Sequence, residues 1–565
     1  MTTAVAANRL KVRTPVLGAV AWGRADVRNI VAILLGFACV LLLVSPARSY
    51  PVTDDWIYWQ SVGDLLRIDY APHDWTQPIA LGHLAWGALF AALFGHTFTV
   101  LTLSNLVMSV ACLVIFYLLL RHLDIAPTYA LLGTATLGFN PIYLFLTYSF
   151  MTDVTFLVYT LGACLCYIRG VQGYGERWLW LGGLATALAY LTRQYGVLIV
   201  VAALAFLLLS RRWSWRSALA IAAIPIMAAV SYSVWGHFQP APLINLQMDA
   251  VNETRFQHFD RYLTDRGFRI AWLLTSLGLS LLPLMLRARR PLISLPLFAF
   301  LLYFQFQSAT IFGSFWPSNG NIIDITGYIF YAYDAAAIWT RWVWLALGVL
   351  GMAAFSLQFA FYAERAWVWL RARPWRDPAS IQVQDPALIL YILGLMLAGV
   401  VFLLTPFLFD RYWLALLPIL CVPPLRQMSA QGAEVDAPAS TKPAWPRWAL
   451  LAPLALFSLV AMRDYKEHAG TRWSAAESLV ARGIRPDQMR AGYEWDGFYN
   501  FKAGAQRIRD TGDFTNLNYP PGAVIDPVYI VSDLPISGYR EIDSIPYHSW
   551  LEGGVTRSVL VLQRK

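Results

Sequence analysis

Two adjacent carboxylates, Asp54 and Asp55, stand in "YPVTDDWIYWQ", residues 50–60. Farther on, lone charges interrupt long apolar runs: Asp153 in "TYSFMTDVTF" and Arg193 in "LTRQYG". A charged pair, Asp410 and Arg411, sits in "FLFDRYW". A carboxylate removed from water binds its proton more tightly and is a competent general base for a hydroxyl. A guanidinium is always charged and grips phosphate in a bidentate fork. Together they suit attack of an acceptor hydroxyl on a sugar whose leaving group is a lipid phosphate. Each residue also has a plainer use, since acids at a membrane edge can simply be solvated and Asp410–Arg411 can anchor a helix end. Asp153 and Arg193 resist that reading, because an ionisable group at such depth is costly. Asp54 and Asp55 repel each other unless a cation, a proton or a ligand relieves them.

The elements that must position these residues are membrane helices. The 565-residue chain is 58% hydrophobic and 14% charged, with a mean hydropathy of +0.50. That charge content is well below the soluble average of about 25%, and the apolar runs have the length needed to cross a bilayer. Such runs recur near residues 29–47, 98–120, 127–146, 154–168, 178–192, 196–210, 217–235, 270–286, 291–308, 341–363, 386–408, 412–425 and 448–462. The expected fold is therefore a polytopic α-helical membrane protein of about 13 transmembrane helices. The first run reads as an uncleaved anchor. With the amino terminus cytoplasmic, alternate connections divide the lysines and arginines 21 to 9 in favour of the cytoplasm, as the positive-inside rule requires. The net charge of +9 then reflects basic loops facing an anionic leaflet, with no nucleic-acid partner implied. Five cysteines (Cys39, Cys112, Cys164, Cys166, Cys421) fall in apolar runs and read as small buried hydrophobes.

This topology gathers Asp54, Asp55, Asp153, Arg193 and Arg411 at the outer face. Residues 77–94 are apolar but broken by Gly82 and His83, which suits a helix lying in the interface. Residues 1–462 read as the membrane domain, with outer loop 48–97 carrying the acidic pair. From 463 the composition turns ordinary and ends in short β-like runs, so residues 463–565 read as a small α+β periplasmic domain. A polar cytoplasmic linker is expected at "GAEVDAPASTKPAWP". "GYEWDGFYNF" in the carboxy-terminal part could stack on sugar rings, but the core of a small domain is the preferred reading.

In order and topological position, "TDDW", "TQP", "ALFGHTFTVLTLSNLV", "NPIYLFLTYSFMTDVTF", "GLATALAYLTRQYG" and "DRYWLALLPIL" resemble the C-class membrane glycosyltransferases (GT-C). The resemblance covers the whole membrane domain and is narrowest to the protein O-mannosyltransferase and aminoarabinose-transferase branch, with its bacterial RgtA/B/C/D-like relatives. It implies an inverting transferase that moves a sugar from a polyprenyl-phosphate donor to a glycan, lipid or protein acceptor, at the periplasmic face of a bacterial inner membrane. It assigns the catalytic base to Asp54 with Asp55 as partner, and acceptor binding or fixing of the base to Asp153. The donor phosphate falls to Arg193, Arg411 and Tyr412, and His73, Gln77 and Gln194 are candidate substrate contacts. Several relatives carry glutamate at the position of Asp55, which leaves the division of labour between the two acids open. Some relatives use a divalent metal (Mg or Mn) and others do not; Asp54, Asp55 and Asp153 could hold one, and no ligand spacing decides it. No glycine-rich phosphate loop is present. Three rivals stay open: a secondary transporter, a glycan polymerase or ligase using a lipid-diphosphate donor, and a non-catalytic assembly partner.

Overall fold

The computed structural model describes residues 22–565 apart from 77–78, 246–252, 254–256, 258, 287, 313–321, 325–326, 329–338, 372–384, 406–407, 434–444, 512–521, 523 and 525. Most of the expected polar linker lies outside the described residues. The amino-terminal half runs α1 (Arg24–Leu43), α2 (Asp55–Leu66), α3 (Leu81–Phe94), α4 (Phe98–His122), α5 (Pro127–Gly138), α6 (Pro141–Tyr148), α7 (Thr152–Arg169), α8 (Arg177–Thr192), α9 (Val197–Leu209) and α10 (Trp215–His237). It continues with α11 (Phe259–Leu281), α12 (Leu295–Phe312), α13 (Arg341–Arg371), α14 (Ala387–Gly399), α15 (Leu417–Ala433), α16 (Trp445–Ala481) and α17 (Tyr493–Thr511).

Every expected apolar run carries a helix. Among the described residues seven helices are long and apolar enough to cross a membrane by themselves: α1, α4, α7, α10, α11, α13 and α16. The run at 127–146 is not one straight crossing. It breaks into α5 and α6, bent by 62°. Asn140 causes the break by capping α6, its side chain accepting from the backbone N–H groups of Ile142 and Tyr143 at 3.1 Å. Pro141 follows at the first helical position, where its missing N–H is tolerated. The other five runs form shorter helices, α8, α9, α12, α14 and α15, several of them led in by a tight 3₁₀ turn. Cys112, Cys164 and Cys421 are buried as expected; Cys39 instead lies on the exposed face of α1, which has few helices packed around it.

The boundary expected at 462 falls inside a single helix. At 37 residues, α16 is about 55 Å long, well beyond a hydrocarbon core of roughly 30 Å, so its second half must stand clear of the membrane. That half presents Asp464, His468 and Arg472 at four-residue spacing, on one face of the helix. Asp464 accepts from Ser549 Oγ and from the Trp550 and Leu551 N–H groups at 2.7–3.0 Å. His468 bonds Asp533 at 2.7 Å, and Arg472 pairs with Glu494 at 2.6 Å. This stripe fixes α17 and a four-stranded sheet to the helix. The sheet has the order β3 (Met489–Arg490), β4 (Tyr529–Ser532), β6 (Val555–Arg564), β5 (Tyr539–Ser549), with β3–β4 parallel and the other pairs antiparallel. A minimal hairpin, β1 (Ile323–Asp324) and β2 (Gly327–Tyr328), lies near Asp410.

Candidate active site

The chain leaves α1 and turns sharply before α2. Thr53 adopts φ +51°, a left-handed conformation rare for a β-branched residue and typical of functional turns. Its strain is held by two contacts: Thr53 Oγ1 donates to Met151 Sδ at 2.9 Å, and its N–H reaches Glu494 at 3.4 Å. Asp54 ends this turn and Asp55 begins α2, so the two carboxylates leave the backbone in different directions.

Asp55 points inward and is fully buried. It pairs with Arg48, whose Nε also donates to Thr102 at 2.8 Å. The Val52 and Phe150 N–H groups donate to the same carboxylate at 2.7 and 3.4 Å. Burial pushes the Asp55 carboxyl up to about 6, against Arg48 and these N–H groups, which draw it down. Every direction around it is thus occupied by the turn, α4 and the strand of chain before α7.

Asp54 points the other way and keeps a quarter of its side chain exposed. Its Oδ2 accepts from Arg411 at 3.3 Å, and its Oδ1 accepts from the Tyr493 hydroxyl. Arg411 also approaches Met151 Sδ at 3.3 Å, and its buried Nε has no hydrogen-bond partner among the described residues. The neighbouring Asp410 turns away to accept from the Ile322 and Ile323 N–H groups at 2.9 and 3.0 Å, so this pair also divides its work.

Asp153 stands in the first turn of α7 and pairs with Arg193 at 2.9 Å. Arg193 occupies an extended residue between α8 and the turn leading to α9. The turn is close enough that a Cβ on Gly196 would lie 2.3 Å from the Tyr190 nitrogen, so only glycine fits there. Arg193 Nε donates to Thr152 Oγ1 at 3.0 Å. The guanidinium carbons of Arg193 and Arg411 lie 5.7 and 5.8 Å from the centre of the Tyr412 ring. One cleft is lined by Asp153, Arg193, Arg411 and Tyr412, with Phe156, Leu397, Val401 and Leu414 as its apolar part. A site with two guanidinium groups beside an apolar wall can take an anionic head attached to a hydrocarbon tail.

The structure therefore brings together Asp54, Asp153, Arg193, Arg411 and Tyr412, and sets Asp55 apart. His73 also lies elsewhere: it bonds Gln60 at 3.1 Å, accepts from the Trp75 N–H at 3.2 Å, and packs on Trp56 and Phe501. Burial pushes its imidazole down to about 4, which fits a packing residue. Gln194 is exposed and does not line the cleft, and Gln77 lies outside the described residues. Among the described residues no three His, Cys, Asp or Glu side chains form a group that could hold a metal. Asp54, Asp55 and Asp153 each pair with a different arginine.

Two residues at the site were not singled out in the sequence. Tyr493 and Glu494 begin α17 and reach the first-loop turn from the carboxy-terminal domain. The signal that could have found them is the Asp464–His468–Arg472 stripe, which asks for acidic or polar partners on one face of a helix that leaves the membrane. "GYEWDGFYNF" is indeed largely core, with Trp495 and Phe501 buried, but its first two polar residues serve the site.

A family model described as dolichyl-phosphate-mannose-protein mannosyltransferase matches residues 77–235. No curated protein matches the chain by sequence. Among solved structures, the chain is similar to ArnT from Cupriavidus metallidurans bound to undecaprenyl phosphate, at 12% identity and a TM-score of 0.45, covering 95% of this chain and 97% of that one. Archaeal oligosaccharyltransferase AglB from Archaeoglobus fulgidus, in complex with an inhibitory peptide and a dolichol-phosphate, gives 11% identity and a TM-score of 0.40, covering 90% of this chain and 69% of that one. The S. cerevisiae protein O-mannosyltransferase Pmt1–Pmt2 complex bound to the sugar donor gives 13% and 0.33, with 39% of this chain matched to 34% of that one. The chain thus spans about a third of the length of that mannosyltransferase. The segment matched by the family model runs from just before α3 into α10 and carries both Asp153 and Arg193.

Proposed function

We propose that the protein moves a sugar from a polyprenyl-phosphate donor to an acceptor hydroxyl, with inversion, at the periplasmic face of a bacterial inner membrane. The observation that carries this reading is the cleft in which two buried arginines and Asp153 meet an apolar wall, with Asp54 on the far side of Arg411. The acceptor oxygen attacks the anomeric carbon as the bond from that carbon to the phosphate oxygen breaks. Asp54 takes the acceptor proton, and the polyprenyl phosphate departs with the bonding electron pair. Arg411, whose buried Nε has no hydrogen-bond partner among the described residues, and Arg193 stabilise the phosphate as its charge grows. Asp153 orients Arg193, and Tyr412 lies against both guanidinium groups. Asp55 supports the turn through Arg48 and is not among the residues that line the cleft.

General-base assistance contributes about 10²–10⁴-fold. Asp54→Asn, expressed at the wild-type level, should therefore lower transfer by about that factor while donor binding persists. Lipid analysis of the two membranes checks it. A polyprenyl-phosphate sugar that accumulates only with Asp54→Asn supports the reading, and its mass names the sugar class. Equal lipid-linked sugar pools with undiminished transfer would remove Asp54 from the base role.

A further inference from the structure

Asp54 is held from two sides by parts of the chain that are far apart in sequence. Arg411 takes Oδ2, and Tyr493, the first residue of α17, donates its hydroxyl to Oδ1. The start of α17 is itself firmly fixed. Glu494 accepts from Arg472 at 2.6 Å, from the Tyr465 hydroxyl at 3.2 Å and from the Thr53 N–H at 3.4 Å. Glu494 therefore grips the strained residue immediately before Asp54, while Tyr493 grips Asp54 itself. One turn later Gly497 lies so close to Trp56 that a Cβ there would come within 2.4 Å of the indole. Trp56 is fully buried and has no room to yield.

A carboxylate bound through one oxygen to one arginine can still rotate about its last bond. A second donor on the other oxygen removes that freedom. We propose that Tyr493 is a positioning residue for the base: the carboxy-terminal domain delivers its hydroxyl to Asp54 and orients the carboxylate. The site is then complete only when that domain is seated on the first-loop turn. This inference rests on the reading of Asp54 as the base.

The test separates turnover from binding, with the purified full-length protein in lipid nanodiscs. Tyr493→Phe keeps the ring and removes the donor, so kcat should fall about tenfold while KM for the sugar donor stays unchanged. 3-Fluorotyrosine at position 493 keeps both the shape and the donor, and should keep the wild-type kcat. A kcat unchanged by Tyr493→Phe, at an unchanged melting temperature, overturns the proposal, and so does a change confined to KM. Transfer that survives Asp54→Asn would refute the base assignment instead.

Discussion

At the scale of single residues, adjacent aspartates are relieved of their repulsion by being turned apart. Asp54 meets Arg411 and Tyr493 in a partly open site, and Asp55 meets Arg48 in a closed one. The same division recurs at Asp410 and Arg411, where one residue ties down β1 and its neighbour lines the cleft. The roles make opposite demands on substitution. Asp55→Ala leaves a buried guanidinium without its counter-charge and should cost about 3–5 kcal/mol of stability. The double variant Arg48→Met with Asp55→Leu should recover most of that loss. Thermal melts of the purified proteins check both, and a double variant as unstable as Asp55→Ala would argue against a simple ion-pair brace. The sequence marks all of these residues by type, yet it does not say which arginine answers which aspartate, because neighbouring side chains on a helix leave it about 100° apart.

At the scale of elements, the membrane helices were legible because an apolar run of sufficient length is helical in lipid regardless of what surrounds it. The break at Asn140–Pro141 was present in the sequence as a cap followed by a proline, but the apolar count on either side hid it within a single run. The extent of α16 was hidden for the opposite reason, since its outer half is polar enough to read as a separate domain. That half and α17 form the bridge between the carboxy-terminal domain and the site. Gly497→Ala places a methyl group against an immobile Trp56, and overpacking of this kind costs about 1–3 kcal/mol. We expect α17 to lift from α2, loosening the Tyr493–Asp54 contact and lowering transfer, while α1 to α16 keep their fold. Limited proteolysis should then cut the carboxy-terminal domain first; cleavage no faster than in wild type would mean that the helix accommodates the methyl.

At the scale of the whole molecule, the first loop and the carboxy-terminal domain share one face, because Tyr493 and Glu494 touch residues 53 and 54. The turn after α9 lies at the other end: α9 starts beside Arg193 and its 13 residues run about 20 Å away from the site. In a cysteine-free background, Ile68→Cys and Ser544→Cys should react with a membrane-impermeant maleimide in intact spheroplasts. Arg211→Cys should react only after permeabilisation. Labelling of Arg211→Cys in intact cells, with the other two protected, would reverse the proposed orientation. What the sequence determined by itself was the membrane class, the positions of the helices and the candidate charges at their ends, because the penalty for placing charge or an unpaired backbone in lipid acts locally along the chain. Only the tertiary structure decided that Asp54 belongs with Arg411 and Tyr493, that Asp55 belongs with Arg48, and that the last domain reaches the first loop. Those pairings span up to 439 residues and follow from how the helices pack, a choice that no local pattern records.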